Sequence, residues 1–403
     1  MKKNLYKENR EDIVERKNRI SKRQDLISKG INPYPFSFRR SHYVEEIRKN
    51  EGKLISENKK VSACGKVCSV REHGGSLFLD IADVTGKIQL YAKSDLLGPD
   101  KFNFIKENVD MGDFIGVHGN VFRTKKGELS IRIEDLELLT KVLMPIPSEW
   151  YGIKDVEKRY RQRYLDLILN KEAKERFKTR IKIIDAIRDF LKKDSFLEIE
   201  TPVLHPIYGG ANARPFKTYY ESLKKNCYLR ISNELYLKRA VIGNFEKVFE
   251  FSRDFRNEGI DATHNPEFTM IEIYEAYKDY NDFIRLTKNL ILDANKAVGD
   301  NLSIQWGDKT INLGGDWPII PMNELLQKYT GLDIFSSSEK ELFEYSKKIG
   351  LNLPENTVWG TLVDNIFSEK VQPELVNPTF VIDYPVSISP LAKQHRKNNE
   401  LVE

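Results

Sequence analysis

Between Val61 and Thr140 the chain carries five short runs in which apolar and polar residues alternate: VSACGKVCSV, SLFLDIAD, KIQLY, DFIGVHGNV and ELSIRIEDLELL. Alternation with period two sends successive side chains to opposite faces of a strand, so each run has one face to bury. Five such strands in eighty residues, separated by turn residues, predict a small barrel. A five-stranded barrel of this size is commonly an OB-fold, whose exposed sheet face binds oligonucleotides through aromatic stacking and polar edge contacts. The strand pattern alone leaves other small barrels open.

The flanks read differently. Residues 1–30 form a polar helix with sparse apolar positions at Ile13, Ile20, Leu26 and Ile27, ended by Gly30 and the Asn-Pro-Tyr-Pro turn. Ten Lys or Arg against five acidic residues there suit a polyanionic partner, or simply a solvated helix face. We expect a basic helical extension at 1–57, the barrel at 58–143, a linker at 144–172 opened by the Pro-rich stretch MPIPSEWYG, and a larger domain at 173–403. In that domain an apolar stripe at Phe177, Ile181, Ile184, Ile187 and Leu191 predicts a helix, followed by the strand FLEIETPVL. Strands at Cys227–Ile231, Lys247–Arg256 and Glu267–Tyr274, without regular beta-alpha alternation, favour an α+β fold with an antiparallel sheet.

With 31% charged residues and no apolar run near the roughly 18 residues of a membrane span, no membrane partner is expected. No signal-peptide pattern follows the N-terminal lysines, so the cytoplasm is the expected location. Cys64, Cys68 and Cys227 are too few and too scattered for a disulfide framework or a zinc site.

The stretch VFEFSRDFRNEGIDATHNPEFTMIEIYEAY, Val248 to Tyr277, predicts two strands joined by a polar loop. On the first, Glu250, Ser252, Asp254, Arg256 and Glu258 share a face opposite Phe249, Phe251 and Phe255; on the second, Phe268, Met270, Glu272 and Tyr274 point one way. Such faces line a pocket or meet solvent with cross-strand salt bridges.

FRNEG, His264 and NPEFTMIEIYEAY closely resemble the second signature motif of class II aminoacyl-tRNA synthetases in the form used by lysine enzymes. RYRQRYLDLILN, FLEIETPVL, GGANARPF and ISNELYLKR are also similar to that family, in its order and spacing, and the barrel stands at its anticodon end. The resemblance implies ATP-dependent ligation of L-lysine to tRNA(Lys) through a lysyl-adenylate, by a homodimer joined at the motif-one helix and the strand around Pro202.

It also implies roles. Arg256 would bridge the substrate carboxylate and the α-phosphate, where a planar fork matches both anions. Glu258 would accept from the adenine amino group, Phe268 would stack on the ring, and His264 and Asn265 would lie near the phosphates. Gly210 and Glu234 would hold the α-amino group, with Glu272 and Tyr274 towards the ε-ammonium; an acidic pocket favours lysine over aspartate. In the barrel Arg71, Phe78 and Gln89 stand at anticodon positions, with Asp135, beside Glu134, where family members often carry a glutamate. Two positions depart from the family: Ser195 replaces a usual glycine and Asn233 a usual proline.

The family's third motif, a glycine-rich segment with an adenine-covering arginine, is not recognisable. The Mg2+ carboxylates and a second ε-amino glutamate are expected beyond Glu403. On that reading no metal ligand lies within these residues, and they would not complete catalysis alone. Two alternatives stay open: an RNA-binding relative that no longer activates amino acids, and an aspartate- or asparagine-specific enzyme of the same subclass.

Overall fold

The computed structural model describes residues 10–145, 153, 155–261 and 263–403, and divides into two compact units, Met1–Lys171 and Glu172–Glu403. Most of the Pro-rich boundary stretch at 144–152, and residues 1–9 of the basic extension, lie outside the described residues.

The first unit is built on the alternating runs. Strands β1 (Lys60–His73), β2 (Ser76–Ala82), β3 (Lys87–Lys93), β4 (Phe114–Arg123) and β5 (Leu129–Thr140) close into a barrel of order β1-β2-β3-β5-β4. Only β3 and β5 pair in parallel. The inward set is the one the alternation selects: Leu77, Leu79 and Ile81 on β2, Ile88 and Leu90 on β3, Ile131 and Ile133 on β5, each at most 1% exposed. At the bulge between His118 and Gly119 a Cβ on Gly119 would lie 1.9 Å from the Arg132 carbonyl oxygen, so this corner of the barrel requires glycine.

Helices α1 (Arg10–Ser28), α2 (Val44–Lys49) and α3 (Glu51–Ser56) precede the barrel, and α4 (Ser94–Leu97) and α5 (Pro99–Asn108) join β3 to β4. The basic helical extension also contributes to the core, because Leu26, one of its sparse apolar positions, joins Val44, Ile47, Leu54, Phe102 and Ile105 in the barrel core. Charge docks the rest of it. Arg19 is buried and donates to the Met111 and Val142 carbonyls, and Lys22 pairs with Asp110 at 2.7 Å. Beneath them the fully buried Lys141 ammonium donates to the Asn108 carbonyl at 2.7 Å, to Asp113 at 2.7 Å and to Asp110. Farther along, α6 (Val156–Arg161) and α7 (Arg163–Leu169) meet over Asp166, buried between Arg159 and Arg163.

In the second unit α8 (Lys171–Lys193) leads into β6 (Leu197–Glu198) and β7 (Leu204–His205). The expected strand FLEIETPVL is therefore two short pieces parted by Pro202, which has no amide to give a ladder. Then come β8 (Lys217–Tyr220), β9 (Lys225–Leu229), α9 (Glu234–Ile242), β10 (Lys247–Phe255), β11 (Glu267–Glu275) and α10 (Tyr280–Val298). One sheet has the order β11-β10-β6, another β7-β9-β8; all these pairs are antiparallel except β10 with β6.

Phe249, Phe251, Ile271 and Ile273 cover one face of the β10–β11 hairpin, packed with Leu191 of α8 and Leu286 and Leu290 of α10. Only the C-terminal half of the α8 stripe is used this way: Leu191 is buried, while Phe177 and Ile181 are 44% and 58% exposed. Hairpin β12 (Ser303–Trp306) and β13 (Lys309–Asn312) follows, then β14 (Ile319–Pro321), which pairs in parallel with β15 (Phe380–Ile382). Between β14 and β15 lie α11 (Met322–Thr330), α12 (Glu339–Lys348) and α13 (Trp359–Lys370), which enclose their own core around Leu326, Leu342 and Ile366.

Candidate functional site: a substrate pocket and a nucleic-acid face

The polar face of β10 is not solvated. Glu250, Ser252 and Asp254 are 3%, 2% and 0% exposed. They lie against Arg230, itself buried just beyond β9, whose guanidinium meets Glu250 at 2.7 Å and the Asp254 carboxylate at 3.2 Å. The same group donates to the Arg253 carbonyl at 3.0 Å and the Thr201 carbonyl at 3.1 Å. The second oxygen of Glu250 accepts from the Thr201 hydroxyl at 2.7 Å and the Asn233 amide at 2.9 Å. Buried ions are tolerated when paired and hydrogen-bonded, and Glu250 meets that condition in full. Asp254 does not. Neither of its oxygens has a hydrogen-bond partner, and burial pushes its carboxyl up to about 6 against the attraction of Arg230.

The register of β10 with β11 sets Glu272 opposite Glu250, Phe268 opposite Asp254 and Tyr274 opposite Val248. One carboxylate oxygen of Glu272 accepts from the Ser232 hydroxyl at 2.6 Å, the other from the Tyr274 phenol at 2.8 Å. Burial, then the Glu272 charge, pushes the Tyr274 phenol far above its usual range, so it stays a donor. Ser232 in turn accepts from the Glu234 amide at 3.1 Å, at the first residue of α9. Gly210 closes this corner with φ +86°; a Cβ there would lie 2.8 Å from the Ser232 hydroxyl oxygen and 3.0 Å from the Glu234 Cβ. Gly210, Ser232, Glu234, Glu272 and Tyr274 thus converge on one acidic wall. Lys238, one turn along α9, pairs with Glu234.

Arg256 stands just past the end of β10, its amide held by the Pro266 carbonyl at 2.8 Å and its guanidinium carbon 5.1 Å from the centre of the Phe268 ring. Glu258 is exposed and accepts from the Arg214 amide at 3.4 Å. His264 and Asn265 are tied to their own loop. The His264 ring pairs with Asp261 at 2.8 Å, and the Asn265 amide donates to the Glu267 carbonyl. The Thr263 amide, then the His264 ring, holds the Asp261 carboxyl well below its usual range.

On the barrel, Phe78 alternates with the buried Leu77 and Leu79 and so points outward. Register aligns Arg71, Phe78, Tyr91 and Arg132 in one row across the sheet, with Ser69, Asp80, Gln89, Ser130 and Phe122 in the next. Phe78 and Tyr91 lie 5.2 Å apart and Tyr91 and Phe122 5.7 Å apart, an aromatic ladder half exposed on the surface. Arg71 reaches Asp80 at 3.2 Å, and Gln89 accepts from Ser130 at 2.9 Å. Asp135 is not gathered there. It lies past the bulge, with its carboxylate on Lys101 of α5 at 2.7 Å.

Sequence reasoning missed Tyr91, Phe122 and Arg132 on this face, and Arg230 and Thr201 beneath the pocket. The period-two pattern would have placed Tyr91 beside Phe78; nothing local marks Arg230, whose partners are 20 or more residues away.

A closed nucleic-acid-binding barrel joined to a domain with this pocket is the architecture of a class II tRNA synthetase. A family model described as tRNA synthetases class II (D, K and N) matches residues 155–403, and one described as an OB-fold nucleic acid binding domain matches residues 61–139. Among curated relatives, a lysine--tRNA ligase of Carboxydothermus hydrogenoformans is 45% identical across 95% of this chain and 78% of its own length. Lysine--tRNA ligase 2 of Methanosarcina mazei is 45% identical across 96% and 76%, and the lysine--tRNA ligase of Thermotoga maritima 45% identical across 96% and 77%. The chain belongs to the class II lysyl-tRNA synthetase family.

Proposed function

We propose that the protein activates L-lysine with ATP and transfers it to tRNA(Lys). In the first step a lysine carboxylate oxygen attacks the α-phosphorus, forming lysyl-adenylate and releasing pyrophosphate; in the second the tRNA terminal hydroxyl displaces adenylate. Bringing two anions together while charge grows on phosphate is the main electrostatic problem, and Arg256, whose Nε lies 3.5 Å from the carbonyl of Ile231, the residue before Ser232, is the planar cation suited to it. Phe268 beneath that guanidinium offers the stacking face for adenine, with Glu258 as acceptor for its amino group. His264 and Asn265 are engaged within their loop, so contact with the phosphates requires that loop to exchange partners. Among the described residues no group of three His, Cys, Asp or Glu side chains is set to hold a metal ion.

The observation that carries the lysine assignment is the acidic wall: Glu272, braced by Ser232 and Tyr274, with Glu234 beside Gly210. Two carboxylates suit a substrate with two ammonium groups, whereas an aspartate side chain would need a cation there. On the barrel, Phe78 with Arg71 and Gln89 offers a stacking ring flanked by donors, suited to an unstacked anticodon base. The exposed half of the α8 stripe, with Ile181 58% exposed, and Leu197 of the following strand, 49% exposed, support a homodimer through this helix and the strand after it. Among the described residues no helix is long and apolar enough to cross a membrane. Because its substrate tRNA is used in protein synthesis, the reaction is placed in the cytoplasm.

Amino-acid-dependent exchange of pyrophosphate into ATP tests the reading in the full-length protein. Lysine is expected to support exchange and aspartate and asparagine not to; exchange with aspartate, or with none of the three, would sink it.

A further inference from the structure

Of the two buried carboxylates on β10 that the reaction above does not use, Glu250 is fully hydrogen-bonded and Asp254 is not. Asp254 is fully buried on the sheet face that carries Glu272 and Phe268, two residues before Arg256. Of the charged groups around it, Arg230 approaches from beyond β9, Glu250 lies on the same strand and Glu272 on the neighbouring strand. The Nε–H of Arg230 is directed to the Arg253 carbonyl at 3.0 Å, and its Nη1 serves Glu250 and Thr201. Two carboxylates, Glu250 and Asp254, therefore share one buried guanidinium, and Asp254 is the one whose oxygens receive no hydrogen bond. A buried carboxylate left in that state costs free energy unless another positive charge arrives.

We propose that Asp254 is a specificity-determining residue for the cationic amino acid: its unsatisfied charge deepens the negative field around Glu272, and the substrate's ammonium completes its neutralisation. This rests on the lysine reading above. Asp254 acts through space and through Arg230, and is a positioning group rather than a contact to the reacting atoms.

The proton makes the idea measurable. Burial, reinforced by Glu272 and Glu250 and opposed by Arg230, raises the Asp254 carboxyl to about 6. A bound cation favours the ionised form, so binding at lower pH must first expel a proton. Lysine affinity then falls about tenfold per pH unit below about 6, whereas ATP affinity does not follow it.

The test is the KM for lysine and for ATP in the exchange reaction, between about pH 5.5 and 7.5, for the full-length wild type and for Asp254→Asn, which keeps the shape and removes the charge. The expected result is a wild-type lysine KM that climbs as pH falls through about 6, and a variant whose lysine KM is about tenfold higher at neutral pH and flat over that range, with kcat within about twofold. A variant that keeps the wild-type slope overturns the proposal. If Asp254→Asn does not fold, calorimetry of the wild type with lysine near pH 6, in two buffers of different ionisation enthalpy, decides: about half a proton released supports the role, none refutes it. Wild-type protein with no lysine-dependent exchange at any pH would refute the lysine reading itself; normal exchange with a flat lysine KM refutes only Asp254.

Discussion

Replacing Gly210 with alanine asks whether the acidic wall is a binding device or a packing accident. At φ +86° an L-residue costs about 1–2 kcal/mol through the clash of Cβ with backbone. The added carbon also falls 2.8 Å from the Ser232 hydroxyl oxygen, too close for any real contact. Ser232 is not free to rotate away, because the hydroxyl donates to Glu272 at 2.6 Å and accepts from the Glu234 amide at 3.1 Å. Giving up the bond to the carboxylate costs about 1.5–3 kcal/mol and the bond from the amide about 0.5–1.5 kcal/mol. With backbone adjustment relieving part of this, about 2 kcal/mol at the lysine end corresponds to a lysine KM roughly 30-fold higher. The atoms nearest the added Cβ belong to Ser232 and Glu234 and not to Phe268 or Glu258, the groups assigned to adenine, so the KM for ATP should move by less than about threefold. Pyrophosphate exchange titrated separately in lysine and in ATP reads both numbers. A lysine KM within about twofold of wild type would refute the reasoning.

Two further outcomes are expected. Phe78→Ala should weaken tRNA binding by about 1–3 kcal/mol, read by filter binding, while amino-acid activation stays at wild-type level; equal loss in both assays would place Phe78 in folding instead. Lys141→Met strands the buried Asp113 carboxylate and should lower stability to urea by about 3–5 kcal/mol, with Lys141→Met/Asp113→Asn recovering much of it; a loss under about 1 kcal/mol would show the ion pair to be inert. The same node carries an acid signature. Burial opposes ionisation of Asp110, but Lys141 and Lys22 outweigh it and hold its carboxyl below the usual value. Its stabilisation is therefore complete above the unfolded value near 4 and is lost as pH falls through the lowered folded one.

How much of this was legible in sequence depended on how local the signal is. Period two gave the barrel strands to within about three residues at either end, and it sorted Phe249, Phe251, Ile271 and Ile273 from Glu250 and Asp254 because a strand has only two faces. For Phe78 the run Leu77-Phe78-Leu79 offered no contrast; packing decided, since an inward Phe would have put both leucines in water. The core of α11 to α13 was passed over, its apolar residues lying on short helices whose partner faces are tens of residues distant. Long-range polar contacts were the least readable. Thr201, Arg230 and Glu250 form one network from three separate segments, and no segment alone betrays it. Asp135 was placed by family position, but a bulge and Lys101 take it elsewhere. The basic N-terminal helix misled because its cations were read as facing a polyanionic partner or solvent, while Arg19 and Lys22 reach inward to the barrel.

Lys238 pairs with Glu234 along α9. An ammonium on a four-carbon stem, one helical turn away, already sits on the carboxylate assigned to the substrate's amino group. Lysine entering the pocket would then displace a tethered copy of its own functional group. The exchange leaves the local charge unchanged, so little water need reorganise around Glu234. A neutral amino compound, unable to replace that ammonium, would have to compete with a side chain that is always present at high effective concentration.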